Sequence, residues 1–226
     1  MQDRFLHYIP LFQGLPEDQV GRLANRGRYK DFKAGAIIAG EDEPVKGLYL
    51  VVWGKVKVFK SSGDGKEQTL YLFGPGELFC MTSMTEDTLP ANLMALEDTR
   101  VFVLPREVME ALARQEPSMM FNIVSLLIRR LKESMYLIEL LSLKEIPQRL
   151  ASYLLHALAL GDGGDTIVLQ TSQREVAKML GTTPETLSRV LKKMADQGVI
   201  HARSRTIRVL DPKGLEAVSR GGGPAL

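Results

Sequence analysis

Apolar and polar positions follow three successive rhythms along the chain. Over residues 4–30 the apolar side chains gather in short groups, Phe5, Tyr8, Ile9, Leu11 and Phe12, then Leu15-Pro-Glu-Asp-Gln-Val-Gly-Arg-Leu, which predict short helices. From Phe32 to Leu104 the period shortens. Runs such as Leu48-Tyr-Leu-Val-Val and Val56-Lys-Val-Phe stand between turn signals at Lys33-Ala-Gly, Gly40-Glu-Asp-Glu-Pro, Trp53-Gly, Ser61-Ser-Gly-Asp-Gly and Phe73-Gly-Pro-Gly. Lys55, Lys57 and Lys60 interleave with Val56, Val58 and Phe59, the period of a half-exposed strand. Many short strands at this spacing predict a sandwich or barrel.

After about residue 117 the rhythm lengthens. Met120, Val124, Leu127, Leu131, Ser134, Ile138 and Leu141 are spaced 4-3-4-3-4-3, an a/d seam of about three heptads on a helix over 117–143. A helix packed on its own domain is the plain alternative. A two-helix dimer seam is preferred, because the periodicity is strict and the segment lies between two candidate domains; Ser134 interrupts it. Ile146-Pro-Gln-Arg-Leu then opens a helix to about Leu160, followed by the Gly161-Asp-Gly-Gly-Asp turn and a strand at Thr166–Gln170. Asp211-Pro-Lys-Gly-Leu-Glu-Ala-Val predicts a short final helix, and Gly221-Gly-Gly-Pro-Ala-Leu a disordered tail.

Between these lies a pair of short helices. Ser172 and Glu175 have capping-box spacing, Val176, Ala177 and Leu180 repeat at helical intervals, and Gly181 suits a left-handed helix end. Thr183 and Pro184 read as N-cap and first position of a second helix. Its stripe is Leu187, Val190, Leu191 and Met194, leaving Glu185, Ser188, Arg189, Lys192 and Lys193 outside. A helix-turn-helix lays the first turns of its second helix in the major groove. There Arg189 can fork onto guanine O6 and N7, Glu185 can accept from the cytosine amino group, and Ser188 can meet a thymine or a phosphate. A solvated charged face on a helical hairpin remains the alternative. The flank favours DNA: Val199-Ile-His-Ala-Arg-Ser-Arg-Thr-Ile-Arg-Val-Leu predicts a hairpin tipped by Arg203, Ser204 and Arg205, a basic wing suited to phosphates. Ser172, Gln173, Thr183, Lys192, Arg203 and Arg205 are the candidate phosphate contacts.

Composition narrows the field. The 226 residues suit one large or two small domains. No apolar run is long enough to span a bilayer, the N-terminus lacks a signal-peptide core, and a cytoplasmic location is expected. A lone Cys80 excludes an intrachain disulfide and a four-cysteine metal centre within one chain, and the three histidines, His7, His156 and His201, show no zinc motif. Residues 1–115 carry 14 Lys and Arg against 16 Asp and Glu, whereas residues 161–226 carry 10 against 7. The modest basic excess coincides with the helix pair. No nucleophile-elbow, P-loop or paired Cys/His motif points to an enzyme. A regulatory module acting through a protein partner is the alternative to DNA binding.

The order of these pieces resembles the CRP/FNR family of bacterial transcription regulators over nearly the whole chain. The resemblance rests on Gly35-Ala-Ile-Ile with Gly40-Glu-Asp-Glu-Pro, Leu48-Tyr-Leu-Val-Val-Trp-Gly-Lys-Val-Lys-Val, Gly74-Pro-Gly-Glu-Leu-Phe, the central helix, and Thr182-Thr-Pro-Glu-Thr-Leu-Ser-Arg-Val-Leu. It implies an α+β fold: an N-terminal β-roll (a double-stranded β-helix jelly roll) for effector sensing over 1–115, a dimerisation helix over 116–143, a winged helix-turn-helix over 144–220, and a tail at 221–226. It implies a homodimer that binds double-stranded DNA, with RNA polymerase as a further partner and no membrane association. Glu185, Ser188 and Arg189 match the E-x-x-S-R pattern of FNR-like members, which implies an inverted repeat of TTGA or TGTGA half-sites. Pro184 stands where relatives often carry Arg.

The resemblance also places an effector pocket at Gly76, Glu77, Leu78, Leu89, Pro90 and Ala91. Glu77 is expected to accept from a ribose hydroxyl. Leu89 falls in the slot where cyclic-nucleotide binders carry an Arg for the cyclic phosphate, so cyclic AMP is not expected. Cys80 alone cannot hold an iron–sulfur cluster. Haem is one candidate cofactor, with His7, Met81, Met84 and His156, and also Cys80 and Met94, as chemically able ligands, and the family's gas-sensing branches include regulators of nitrosative-stress genes. A thiol switch at Cys80 and a small organic metabolite stay open beside it.

Overall fold

The computed structural model describes residues 4–45, 47–161 and 163–222. The chain divides into two compact units after Leu131, inside the long helix rather than at either of its ends.

In the first unit two short 3-10 helices, Arg4–Tyr8 and Pro10–Phe12, precede α1, Glu17–Arg26. Eight strands follow: β1 Arg28–Phe32, β2 Ile37–Ala39, β3 Gly47–Trp53, β4 Val56–Ser61, β5 Glu67–Phe73, β6 Leu78–Phe79, β7 Asn92–Ala95 and β8 Thr99–Pro105. They form two four-stranded antiparallel sheets, ordered β1-β8-β3-β6 and β2-β7-β4-β5. Two apolar clusters belong to them. One gathers Leu6, Phe12, Leu23, Leu48, Leu50 and Phe102; the other gathers Val51, Val56, Phe73, Phe79, Leu89 and Leu93. Gly47 opens β3 because a Cβ there would stand 2.3 Å from the Leu104 carbonyl oxygen of β8. Gly54, at φ 90°, makes the turn from β3 to β4.

One expectation fails in β4. Lys57, read as facing solvent, is 1 % exposed, with Nζ 2.9 Å from Glu67 Oε2 and 4.5 Å from the centre of the Phe59 ring. Period two places a side chain on a face, but neighbours decide whether that face is wet. Here an adjacent aromatic and a cross-strand carboxylate enclose the amine.

After β8 a helix that the apolar pattern did not announce, α2 Arg106–Gln115, leads to α3, Pro117–Leu143. In the second unit come α4 Ile146–Ala159, β9 Thr166–Val168, α5 Gln173–Met179, α6 Pro184–Asp196, β10 Ile200–Arg203, β11 Thr206–Val209 and α7 Pro212–Ser219. The three strands form an antiparallel sheet ordered β10-β11-β9. Its core joins Leu140 near the end of α3 to Leu150, Leu154, Val176, Leu187, Leu191, Met194, Ile207 and Leu215. Of the expected tail, 223–226 lies outside the described residues. Residues 221 and 222 instead close α7: Gly221, at φ 79°, donates its N–H to Val218 O, and Gly222 donates to Ala217 O. The whole is α+β, with antiparallel sheets first and a helix-turn-helix with its wing last.

Candidate nucleic-acid interface and effector unit

The helix pair is built by local chemistry. Ser172 Oγ accepts the backbone N–H of Glu175 and so caps α5. The reciprocal half of the expected capping box is replaced: the Glu175 carboxylate, 9 % exposed, lies 3.3 Å from Lys178 Nζ. Gly181, at φ 67°, turns the chain. Thr183 Oγ1 accepts the N–H of Thr186, and Pro184 takes the first position of α6. Leu187, Val190, Leu191 and Met194 are buried, as their spacing requires. On the opposite face Glu185, Ser188, Arg189, Lys192 and Lys193 are exposed.

Glu185 sits below the usual carboxylate range. Its own backbone N–H lowers it first, then the Thr183 hydroxyl, with Arg189 and Arg174 adding favourable charge. Arg174, exposed in the first turn of α5, therefore belongs electrostatically to this face. Its place in the run Gln-Arg-Glu after the Ser172 cap was the available signal.

The wing folds as its alternation predicts, with Ser204 at φ 55° in the tip. Its arginines differ in role. Arg205 is exposed yet bonded: Nε and Nη2 both donate to Leu169 O, at 3.2 and 2.9 Å. Gln173 likewise donates Nε2–H to Ser204 O at 2.9 Å. Arg203 is exposed. Two of the expected phosphate ligands thus also brace the wing, and both Arg203 and Arg205 are exposed.

The other expected sites assemble less simply. On α3, Met120, Val124, Leu127, Leu131 and Ile138 of the expected seam are exposed, whereas Ser134 and Leu141 are half-buried. A neighbouring register, Phe121, Val124, Ile128, Leu131, Met135 and Ile138, is 47–76 % exposed throughout and free of polar interruption. It keeps the 3-4 alternation. Counting from Met120 alone hid it.

Around the expected effector pocket, Gly76 adopts φ 84° and donates its N–H to Val51 O. Glu77, where a sugar contact is expected, has partners within the protein. Its carboxylate accepts from the Gly74 N–H at 2.8 Å and from Arg130 Nη2 at 2.9 Å. The Arg130 guanidinium also lies 4.6 Å from the centre of the Phe73 ring. Leu78 and Leu89 are buried in separate apolar clusters, Ala91 is buried and Pro90 exposed.

The candidate haem ligands lie in different settings. His7 is exposed on the first 3-10 helix, and Met81 and Met84 pack against the cluster of Leu6 and Phe12. Met94 lies in β7, and His156 stacks on Tyr136 with ring centres 5.1 Å apart. Cys80 is buried, and burial pushes its thiol far up. Among the described residues no group of three or more His, Cys, Asp or Glu could hold a metal ion. None of their helices is long and apolar enough to cross a membrane.

Comparison with known proteins agrees with this geometry. Residues 148–218 match the Crp-like helix-turn-helix domain, and residues 29–116 match the cyclic nucleotide-binding domain. A curated relative, the cyclic AMP receptor protein of Thermus thermophilus, is 37 % identical over 213 residues, covering 94 % of this chain and 97 % of its own. The transcriptional activator protein Anr of Pseudomonas aeruginosa is 28 % identical over 208 residues, covering 90 % of this chain and 84 % of its own. Among solved structures, a CooA variant from Carboxydothermus hydrogenoformans superposes with a TM-score of 0.78 at 27 % identity, covering 88 % of this chain and 90 % of its own.

Proposed function

The chain belongs to the CRP/FNR family of transcription regulators, and from that premise we propose that it is a homodimeric, sequence-specific DNA-binding regulator whose antiparallel-sheet unit answers to a small effector. The observation that carries the reading is the exposed row Glu185, Ser188 and Arg189 on a doubly capped helix, beside a braced basic wing. Arg189 forks onto a guanine, Glu185 accepts from a cytosine amino group, and Ser188 meets a thymine methyl or a phosphate. Lys192, Arg203 and the capped ends at Ser172 and Thr183 meet phosphates. Two such helices, joined through the exposed apolar face of α3, suit an inverted repeat of TTGA- or TGTGA-like half-sites. RNA polymerase is the partner through which such a regulator acts. A module that works only through a protein partner has less support, since it leaves the α6 row and the braced wing without a task.

The effector is a small molecule other than cyclic AMP. Leu89, packed among Val51, Phe73 and Phe79, offers a phosphate no cation. A second reading, cyclic AMP itself, is favoured by the name of the 37 % identical relative. Titration decides between them. Wild-type protein is mixed with a pool of duplexes randomised at the centre, with and without cyclic AMP, and the retained duplexes are sequenced. Enrichment of one inverted repeat with no dependence on the nucleotide is expected. No enrichment under any condition sinks the DNA-binding reading. Enrichment only with the nucleotide sinks the choice of effector.

A further inference from the structure

Arg149, near the start of α4, lies outside the exposed row on α6, and its guanidinium donates three hydrogen bonds. Nε donates to Lys144 O at 2.8 Å, Nη1 to Leu180 O at 2.9 Å, and Nη2 to Leu141 O at 3.0 Å. Leu141 lies in the last turn of α3, Lys144 in the link to α4, and Leu180 is the C-cap of α5. The last carbonyls of a helix have no partner within it and carry the negative end of its dipole. One planar cation therefore satisfies the ends of two helices at once, a fork that only arginine supplies.

The two helices it joins have different tasks. α3 carries the exposed apolar face. α5 ends at Met179 with Leu180 as its C-cap, and only Gly181 to Thr183 lie between that cap and Pro184 at the head of α6. That turn is short and pinned, since the Thr182 N–H donates to Ala177 O at 2.9 Å. The end of α3 is fastened to α4 again by Lys144 Nζ donating to Ser152 Oγ at 2.9 Å and by the Tyr136–His156 stack. A displacement at the end of α3 thus has a hydrogen-bonded route, through one side chain, to the turn that sets the entry angle of α6.

We propose that Arg149 is a positioning residue for sequence reading: it fixes the pose of α6 against the end of α3 without touching DNA. The inference rests on α6 being the reading helix, and the test separates the two. Arg149→Met and the milder Arg149→Lys are compared with wild type in the selection from a randomised duplex pool. Melting temperature and sedimentation of each variant are measured alongside. Both variants are expected to remain folded and dimeric and to bind the unselected pool within about two-fold of wild type. Preference for the enriched repeat over the pool should fall by roughly ten-fold or more in Arg149→Met. Arg149→Lys, which keeps the charge but not the fork, should fall between.

Undiminished preference in both folded variants overturns the inference alone. An unfolded or monomeric Arg149→Lys makes the residue a stability element and overturns it too. A wild-type chain that enriches nothing removes the reading of α6 and the inference with it.

Discussion

Side chains that the sequence made conspicuous divide into those that reach outward and those that brace. Arg189 is outward, and replacing it with Ala should cost about 1–3 kcal/mol at the matching base pair and relax choice there. Competition between duplexes altered at single positions measures this; unchanged selectivity refutes the role. Arg205 is a brace. Its loss removes two bonds to Leu169 O, so Arg205→Ala should lower the stability of the free protein by about 1 kcal/mol, an effect a purely phosphate-binding arginine would not show. Thermal unfolding without DNA separates the cases. Cys80 is buried and its thiol is pushed up by that burial. The native protein should resist thiol reagents at neutral pH and react fully in denaturant. Because the folded value lies above the unfolded one, the thiol's contribution is complete below the unfolded value of about 8.5 and is lost as pH rises beyond it. Alkaline denaturation of Cys80→Ser against wild type reads this out. Arg189 and Glu185 were legible because their motif sits on an exposed helix face. Lys57 was not, because its burial depends on Phe59 and on a cross-strand Glu67 that no local count contains.

At the level of elements, caps and periodicity carried most of the information. Thr183-Pro184, Gly181 and the alternation around Arg203 gave the helix pair and the wing nearly to the residue, since each depends on neighbours within a few positions. α2 escaped because the pattern of strands ran up to Leu104 and nothing in the period marked a new start. The face of α3 was found but framed one residue away from its most exposed register. An apolar stripe that wide supports either frame, and only exposure ranks them. Ile128 separates the frames, being 50 % exposed and absent from the first. Ile128→Glu should yield a folded monomer with weakened binding to the inverted repeat, because a like-charged pair would meet in the seam. Sedimentation at rising concentration checks it, and a persistent dimer would return the seam to the Met120 frame or to another surface.

For the whole molecule, the charge balance was readable and its use was not. The basic excess of the last 66 residues is small, and two of its exposed members have partners within the protein, Arg208 with Asp165 and Arg205 with Leu169 O. The exposed cations set the salt response. Affinity for DNA should fall steeply with added salt, and Arg203→Ala should flatten the log–log slope by about two for a complex of two chains, one unit for each lost phosphate contact. An unaltered slope would remove Arg203 from the phosphate set. The setting of the expected effector residue lay beyond sequence reasoning for a related cause: Glu77 is bonded by Arg130, 53 positions away. The bare stripe on α3 carries one more consequence. Partners that must find each other by collision are scarce when the protein is scarce, and a twofold operator then fills with the square of expression level. Gene dosage would accordingly act as an input in its own right, a threshold that the cell sets by synthesis and proteolysis before any metabolite is sensed.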